Sequence, residues 1–227
     1  PLLTDENGVP LRGDLIGLIT ANFLGAGVVV TPVTSNSGIE ASGSFDVIRT
    51  KVGSPFVIAG MTEALAAGRN GVMGFEANGG LMLGSDISIG SKAIKALPTR
   101  DSFLPALAVL GTAAERSLSL SALVEDFSLP VALSDRLENY ASERSASLMA
   151  HLRNSPEQLS AFLAPLGAVE TVSEIDGLRV TLTDGRVIHF RPSGNAPEMR
   201  CYVEAADKES AASLLSQGLS LLEGWKV

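Results

Sequence analysis

The chain has 227 residues, of which 45% are hydrophobic and 19% are charged, a composition that suits one or two globular domains with buried cores. Its formal net charge of −8 argues against nonspecific binding to nucleic acid or to anionic membranes, but it does not exclude a local basic pocket. The single cysteine excludes an internal disulfide, and the presence of only two histidines argues against a histidine metal site. The absence of an apolar run of roughly 18 residues argues against a membrane span. We therefore expect a cytoplasmic protein.

The first part of the chain alternates helix-like and strand-like segments. Residues 11–27 have apolar side chains at helical spacing, and Gly25 favours a helix end at that position. The next segment, 27–33, is a short continuous apolar run of the kind that forms buried parallel strands. This alternation predicts a βαβ sheet with helices packed on it. The remaining predicted elements are a short helix or loop at 35–43, a strand at 45–52, a helix at 55–68, two strands around a glycine-rich turn at 70–85, and helices at 101–117 and 118–127.

The pattern changes after this first unit, and we place a boundary near Leu129–Pro130. Residues 133–167 are predicted to be helical with a break near Pro156, and a final helix is predicted at 208–222. The expected class is therefore α/β: a mostly parallel three-layer domain followed by a smaller α+β domain with an antiparallel sheet. Short strands are predicted at 169–172, 178–182, 187–190 and 199–204.

Polar side chains follow two of the predicted parallel strands, where ligands of α/β sheets usually bind. Arg49 and Lys51 end one strand and lie two residues apart, so they point to the same side; the alternative is that both cations pair with surface carboxylates. Glu76 and Asn78 follow the next strand on a glycine-rich turn that suits sugar hydroxyls; the alternative is a solvated turn. We expect the two strands to be neighbours, so that Lys51, Glu76 and Asn78 converge on one crevice. Arg49 and Asp101 are weaker candidates, since Asp101 also suits a helix cap.

The segment RPSGNAPEMR, residues 191–200, concentrates hydrogen-bond donors between two predicted strands. Arg191 offers a guanidinium fork that matches phosphate, and Ser193 and Asn195 add side-chain donors. Gly194 is able to adopt a positive φ, which would let successive N–H groups converge on an anion. Arg200 faces either the ligand or a structural carboxylate. We expect a phosphate-binding loop with Arg191 at an exposed position, and the alternative is an ordinary turn with solvated arginines.

Several segments, in order along the chain, resemble those of the α-D-phosphohexomutase family. RPSGNAPEMRCYVEA is similar to the family's phosphate-binding loop, commonly RPSGTEPxxRxYxEA. RGDLIGLITANFL resembles the helix that opens the family's third domain, RTKVGSPFV its TKVG segment, and GFEANGG its sugar-reading loop, usually GExSGH. IDGLRV resembles the piece before the phosphate loop. Ordered matches over most of the chain are far more specific than any one motif.

The resemblance implies a C-terminal fragment of a four-domain enzyme. It assigns residues 1–9 to a remnant of the preceding domain, 10–128 to the sugar-reading domain 3, and 129–227 to the phosphate-binding domain 4. The family's phosphoserine and its Mg²⁺-binding DGDxDR loop belong to domains 1 and 2, and neither motif occurs here. We therefore expect no catalytic residue and no metal ligand in this chain, Mg²⁺ in the intact enzyme, and the missing domains 1 and 2 as partners, with no nucleic acid and no membrane.

The family's reaction is the interconversion of hexose 1-phosphates and 6-phosphates by phosphomannomutases and phosphoglucomutases. The resemblance implies that Glu76 contacts sugar hydroxyls and that Ser193 is a phosphate donor group rather than a nucleophile. Three departures stand out: Asn78 replaces serine, Gly80 replaces histidine, and Asn195-Ala196 replace Thr-Glu. They leave the sugar preference open, and they motivate an alternative, a non-catalytic sugar-phosphate-binding module or regulator. We expect the fragment alone to be inactive as a mutase.

Overall fold

The protein is described from a computed structural model, which covers residues 2–226 and divides into two compact units that meet in sequence at Leu129 and Pro130. In the first unit the helices are α1 (Gly13–Leu24), α2 (Ser54–Ala66), α3 (Phe103–Arg116) and α4 (Leu120–Asp126). Its strands are β1 (Val28–Pro32), β2 (Asp46–Thr50), β3 (Val72–Phe75), β4 (Leu81–Leu83), β5 (Ile87–Ile89), β6 (Lys92–Ile94) and β7 (Leu97–Asp101), with a short 3₁₀ helix at Ser37–Ile39.

The main sheet of the first unit has the strand order β2-β1-β3-β4-β7. β1 pairs in parallel with both β2 and β3, whereas the pairings β3–β4 and β4–β7 are antiparallel. The sheet is therefore mixed, with a parallel half that carries the predicted site and an antiparallel edge. The predicted α/β class is confirmed, and the antiparallel edge arises because the glycine-rich turn after β3 reverses the chain directly into β4.

Helices cover both faces of this sheet because the residues of β1 alternate between two cores. Val28 and Val30 pack with Val57 and Met61 of α2 on one face. Val29 packs with residues of α1 on the other face, and α3 packs on α1. All five residues of β1 are buried, which explains the continuous apolar run that predicted this strand.

Three short strands lie in a stretch to which the sequence pattern assigned no element. β5 and β6 form a small two-stranded sheet, and β7 joins the main sheet beside β4. These strands are only three to five residues long and largely exposed, so they carry no strong apolar alternation. β7 matters for the site, because it brings Arg100 to the sheet edge.

The second unit is an α+β unit with a five-stranded antiparallel sheet of order β8-β12-β11-β10-β9. Helices pack against one face of this sheet over a single apolar core. Its strands are β8 (Val131–Leu137), β9 (Val169–Ser173), β10 (Leu178–Leu182), β11 (Val187–Pro192) and β12 (Met199–Ala205). Its helices are α5 (Ser142–Asn154), α6 (Pro156–Leu163) and α7 (Lys208–Gly224).

The prediction that residues 133–167 are helical was wrong for the first residues of this range. Residues 131–137 form β8, which pairs with β12 along its whole length. Leu133 and Leu137 are four residues apart, a spacing that places them on one face of a helix and equally on one face of a strand. The pairing with β12 decided between the two. The predicted break near Pro156 is present, because α6 begins there.

No single helix among residues 2–226 is long and apolar enough to cross a membrane; α3 and α4 taken together have the required length and composition, but they bend by 88° at the break between them.

Candidate functional site

The first candidate site lies at the carboxyl end of β3, on the turn that follows it. The N–H of Glu76 donates to the carbonyl of Gly80, and the N–H of Gly79 donates back to the carbonyl of Glu76, so the turn is closed at both ends. Gly79 has a φ of 85°, which a residue with a side chain rarely adopts. The Asn78 side chain accepts from the N–H of Gly80, and this contact holds its amide on the turn.

The Glu76 carboxylate is almost fully buried, at 4% exposure for the residue, yet it is paired. Its Oε2 accepts from Ser54 Oγ at 2.7 Å and from Arg100 Nη2 at 2.7 Å. Ser54 is the first residue of α2, and Arg100 comes from β7. A buried carboxylate needs such partners, since an unpaired one would be costly. Sequence reasoning missed Arg100, because β7 carried no strand signal.

Lys51 is exposed and lies in the loop between β2 and α2, three residues before Ser54. Its Nζ is 5.9 Å from the centre of the Phe56 ring, which suits a cation–π contact. The expectation that the strands before Lys51 and Glu76 are neighbours was wrong, since β1 lies between β2 and β3. Both strands nevertheless run parallel to β1, so both side chains follow the same carboxyl edge, and a shared crevice stays a prediction.

Arg49 is placed as a structural residue. Its five N–H donors reach the Glu40 carboxylate and the carbonyls of Pro32, Ser35 and Asn36. The guanidinium thus fastens the loop that follows β1 and has no donor left for a ligand. For Arg49 the geometry therefore favours the alternative that the sequence left open, in which the cation pairs with a carboxylate.

Asp101 is placed as a helix cap. Its Oδ1 accepts from the N–H of Phe103 at 2.8 Å and from the N–H of Leu104 at 3.2 Å, the first two residues of α3. Satisfying these otherwise unpaired donors is the usual work of a capping carboxylate. The Asp101 carboxylate is therefore engaged by the backbone of α3, although the residue follows Arg100 directly.

The second candidate site is the loop between β11 and β12 in the second unit. The N–H of Ser193 donates to the carbonyl of Glu198 at 2.9 Å and closes the loop, and the N–H of Asn195 reaches Ser193 Oγ at 3.4 Å. Positive φ values occur at other glycines of the described chain but not at Gly194, so the expected αL turn of an anion nest is not formed there. The closing hydrogen bond and the two prolines hold the loop in another conformation.

Arg191 does not sit at an exposed loop position, as the sequence suggested. It belongs to β11, and its side chain is only 14% exposed. Its Nε donates to Asp176 Oδ2 at 2.7 Å, which ties the strand to the turn before β10. This contact fixes the position of Nε at the end of β11, where the loop begins.

Arg200 has a neighbour that sequence reasoning missed. β12 and β8 pair so that Arg200 and Arg136 lie directly opposite each other, and both approach the Glu198 carboxylate at 3.3 Å. A groove of about 230 Å³ runs over them and is bordered by Tyr202, whose hydrogen bond raises the pKa of Arg200. Arg136 was missed because its strand was predicted to be a helix. The other residues lining the groove are Ser134 and Asp135.

Two buried titratable groups lie in the same sheet. His189 stacks on Tyr202, and its Nε2 is 2.6 Å from the Asp176 carbonyl, which makes Nε2 the protonated nitrogen. Burial lowers the pKa of His189 to about 4. Burial raises the pKa of Cys201 to about 12, so this thiol is a small apolar core residue at neutral pH, as the sequence indicated.

Among residues 2–226 there is no group of three or more His, Cys, Asp or Glu side chains placed to hold a metal ion.

Comparison with known protein families matches both units. Residues 12–129 match the model of phosphoglucomutase/phosphomannomutase alpha/beta/alpha domain III, and residues 146–217 match that of the phosphoglucomutase/phosphomannomutase C-terminal domain. Both matched regions lie in consecutive order and together cover most of the chain.

Two curated relatives are phosphomannomutases. The chain is 56% identical to that of Sinorhizobium fredii over 222 residues, which are 98% of this chain and 47% of the relative. It is 41% identical to that of Salmonella muenchen, over 97% of this chain and 46% of the relative. The chain thus spans about half the length of the curated relatives that it matches.

Solved structures agree on the fold. A phosphoglucomutase/phosphomannomutase family protein from Burkholderia thailandensis superposes with a TM-score of 0.70 at 17% identity, over 98% of this chain and 43% of that one. Aspergillus fumigatus N-acetylphosphoglucosamine mutase, solved with GlcNAc-6P and magnesium, superposes with a TM-score of 0.66 at 17% identity, over 97% of this chain and 46% of that one. At these identities the likeness concerns the fold alone.

Proposed function

Because the chain belongs to the phosphoglucomutase/phosphomannomutase family, we propose that it is the sugar- and phosphate-binding part of a phosphohexomutase that interconverts hexose 1-phosphate and hexose 6-phosphate. The observation that carries this proposal is the 56% identity to a phosphomannomutase across nearly the whole chain. The proposal includes domains 1 and 2 as the missing partners and the cytoplasm as the location.

In the proposed reaction a phosphoserine outside this chain transfers its phosphoryl group to the free hydroxyl of the hexose phosphate. The bisphosphorylated sugar turns around, and its other phosphoryl group returns to the serine, so that a hexose phosphate with the phosphate at the other position is released. Such transfers depend mainly on positioning and charge stabilisation. Mg²⁺ supplies positive charge at the transferring phosphoryl group when it is bound, and its ligands would come from outside this chain.

This chain would hold the substrate while the reaction proceeds elsewhere. In the first unit Glu76, Asn78 and Lys51 follow the carboxyl edge of the parallel strands and would contact the sugar hydroxyls. The buried, paired carboxylate of Glu76 has little freedom to move, which favours recognition of one hydroxyl geometry. Because of their contacts, we assign Arg49 and Asp101 to the support of this site.

The second unit would grip the phosphate that is not being transferred. The proposed contacts are the Arg191 guanidinium, the Ser193 and Asn195 side chains and the backbone of Gly194, with Arg200 beside them. The positive charge of Arg191 is fixed in place by Asp176, so a dianionic phosphate meets a pre-positioned donor despite the net charge of −8.

The alternative function is a non-catalytic sugar-phosphate-binding module, which the departures at Gly80 and Ala196 favour. Both functions need the same two binding sites, so binding alone does not separate them. The sequence that precedes this chain in its gene product separates the two functions. A mutase requires a TASHNP-like serine loop and a DGDxDR loop there, whereas a binding module requires neither.

The direct test compares turnover by the intact gene product and by residues 1–227, with mannose 1-phosphate or glucose 1-phosphate as substrate and a coupled dehydrogenase readout. We expect turnover by the intact protein, binding without turnover by residues 1–227, and loss of turnover from the intact protein on chelation of Mg²⁺. An intact protein that binds hexose phosphates without turning them over would establish the binding module instead.

A further inference from the structure

Arg100 makes three hydrogen bonds, two to Ser54 and one to Glu76, and keeps part of its guanidinium uncommitted. Nε and Nη2 both donate to Ser54 Oγ, at 3.1 and 2.8 Å, and Nη2 also donates to Glu76 Oε2 at 2.7 Å. An arginine has five N–H donors. The two that remain belong to Nη1, which has no protein partner among the described residues, and the side chain is 55% exposed.

Glu76 has an unused acceptor where Arg100 has unused donors. Both protein partners of Glu76 bind Oε2, and Oε1 has no hydrogen-bond partner among the described residues. The pair therefore leaves an unused acceptor on Glu76 next to unused donors on Arg100, while Oε2, Nε and Nη2 hold the two groups in fixed relative positions.

The absence of a side chain at Gly80 makes room for this arrangement. A Cβ atom at position 80 would lie 3.2 Å from Arg100 Nε and 3.1 Å from Asn78 Oδ1, which is closer than nearly all Cβ contacts. Gly80 adjoins the end of β4, where Leu81 pairs with Asp101, so the strand pairing itself directs Arg100 into this space. The glycine and the arginine are therefore linked features of one site.

We propose that Arg100 is a specificity-determining residue whose guanidinium, together with the Glu76 carboxylate, reads two neighbouring hydroxyls of the hexose phosphate. Glu76 Oε1 accepts a hydrogen bond from one hydroxyl, and Arg100 Nη1 donates to the oxygen of the next. This inference rests on the proposed function, because it takes a hexose phosphate as the ligand. An acceptor and a donor held as a rigid pair distinguish epimers, since inverting one hydroxyl leaves one polar group unpaired.

The test uses the intact gene product and titrates glucose 6-phosphate, mannose 6-phosphate and inorganic phosphate into the wild type and Arg100→Ala. We expect Arg100→Ala to weaken binding of the preferred sugar phosphate about tenfold and to reduce the preference between the two epimers. Inorganic phosphate, which has no hydroxyl for this pair, should bind the variant as it binds the wild type. Arg116→Ala is the matched control, because Arg116 also forms a half-exposed pair, with Asp126, at the other end of α3.

A second variant covers the case in which Arg100→Ala fails to fold. Gly80→Ala keeps the arginine and its charge but places a Cβ against Arg100 Nε, so it should displace the guanidinium and lower the epimer preference in the same direction. Unchanged epimer preference in folded Arg100→Ala, or in Gly80→Ala if Arg100→Ala does not fold, would overturn the role of Arg100 while leaving the mutase proposal intact. A wild type that binds neither sugar phosphate would overturn both proposals.

Discussion

Arg191 and Asp176 form an ion pair that is largely shielded from water, with Nε 2.7 Å from Oδ2 and side chains that are 14% and 20% exposed. The same aspartate accepts from His189 through its backbone carbonyl. One residue in the turn before β10 thus anchors two neighbouring side chains of β11 at the base of the candidate phosphate loop. The arginine therefore has a structural role beside the binding role that we propose for it, and the sequence alone did not indicate the structural one.

Replacing Arg191 by Ala should weaken binding of mannose 6-phosphate tenfold or more, because hydrogen bonds to charged groups contribute roughly 1.5–3 kcal/mol each. It should also lower the free energy of unfolding by about 1–3 kcal/mol, since Asp176 loses a partner in a poorly solvated position. Titration calorimetry and urea unfolding measure the two effects. Arg186→Ala, which removes an ion pair with Asp184 at the opposite end of the β10–β11 hairpin, should leave binding unchanged. Equal affinities of wild type and Arg191→Ala would show that the loop is an ordinary turn.

Stability should fall in acid because of His189. Burial lowers the pKa of this imidazole from 6.5 to about 4; Asp176 opposes the shift, and the positive charges of Arg179 and Arg191 add to it. Between these two pH values the unfolded chain binds a proton that the folded chain excludes. The contribution of the neutral His189 to the free energy of unfolding is therefore complete above pH 6.5, and it is lost as the pH falls toward 4. The expected loss is on the order of 3 kcal/mol.

Urea unfolding of the wild type and His189→Gln at a series of pH values measures this effect. The quantity of interest is the pH dependence of the difference between the two proteins, because the substitution has a constant cost of its own. The difference should shrink on acidification from neutral pH to pH 4. A difference that stays constant over this range would mean that His189 does not titrate as its burial requires.

Adding a single methyl group at Gly13 should disturb the candidate sugar site. A Cβ there would lie 2.1 Å from the N of Gly79 and 2.5 Å from the carbonyl oxygen of Ala77, so the first turn of α1 is pressed against the turn after β3. Gly13→Ala should cost about 1–3 kcal/mol of stability and weaken sugar-phosphate binding, because backbone has to move. Thermal unfolding measures the stability, and calorimetric titration measures the binding. Gly224→Ala, at a helical glycine with open space around it, should change neither stability nor binding. Similar effects of the two substitutions would refute the close approach.

Arg49→Lys should destabilise the first unit although the charge is kept. An ammonium has three donors and no planar fork, so it cannot satisfy the Glu40 carboxylate together with the three carbonyls that Arg49 now serves. We expect a loss of about 1–3 kcal/mol in urea unfolding. Arg69→Lys is the comparison, because Arg69 pairs with Asp46 at an exposed position where such pairs contribute little. Equal losses for the two variants would contradict the structural role of Arg49.

Local patterns were sufficient for the parts of the fold in which one periodicity dominates. The apolar run around Val29 was predicted to be a buried strand, and it forms β1. Gly25 was predicted to end the first helix, and it ends α1 in a left-handed conformation with a φ of 62°. The pattern failed at Leu133 and Leu137, whose spacing suits helix and strand alike, and at β7, which is short and exposed. In both places the long-range partners, β12 and β4, determine the conformation.

The sequence by itself determined the family resemblance, the fold class and the two segments rich in polar donors and acceptors, because motifs and apolar periods are local properties of the chain. Only the tertiary structure decided what each of those polar residues contacts. Arg49 and Asp101 turned out to hold backbone groups, Arg191 to pair with Asp176, and the unpredicted Arg100 to pair with Glu76. The physical reason is that a buried charge takes its partner from whichever strand the sheet brings beside it, and strand order is set by the packing of the whole unit rather than by neighbouring residues.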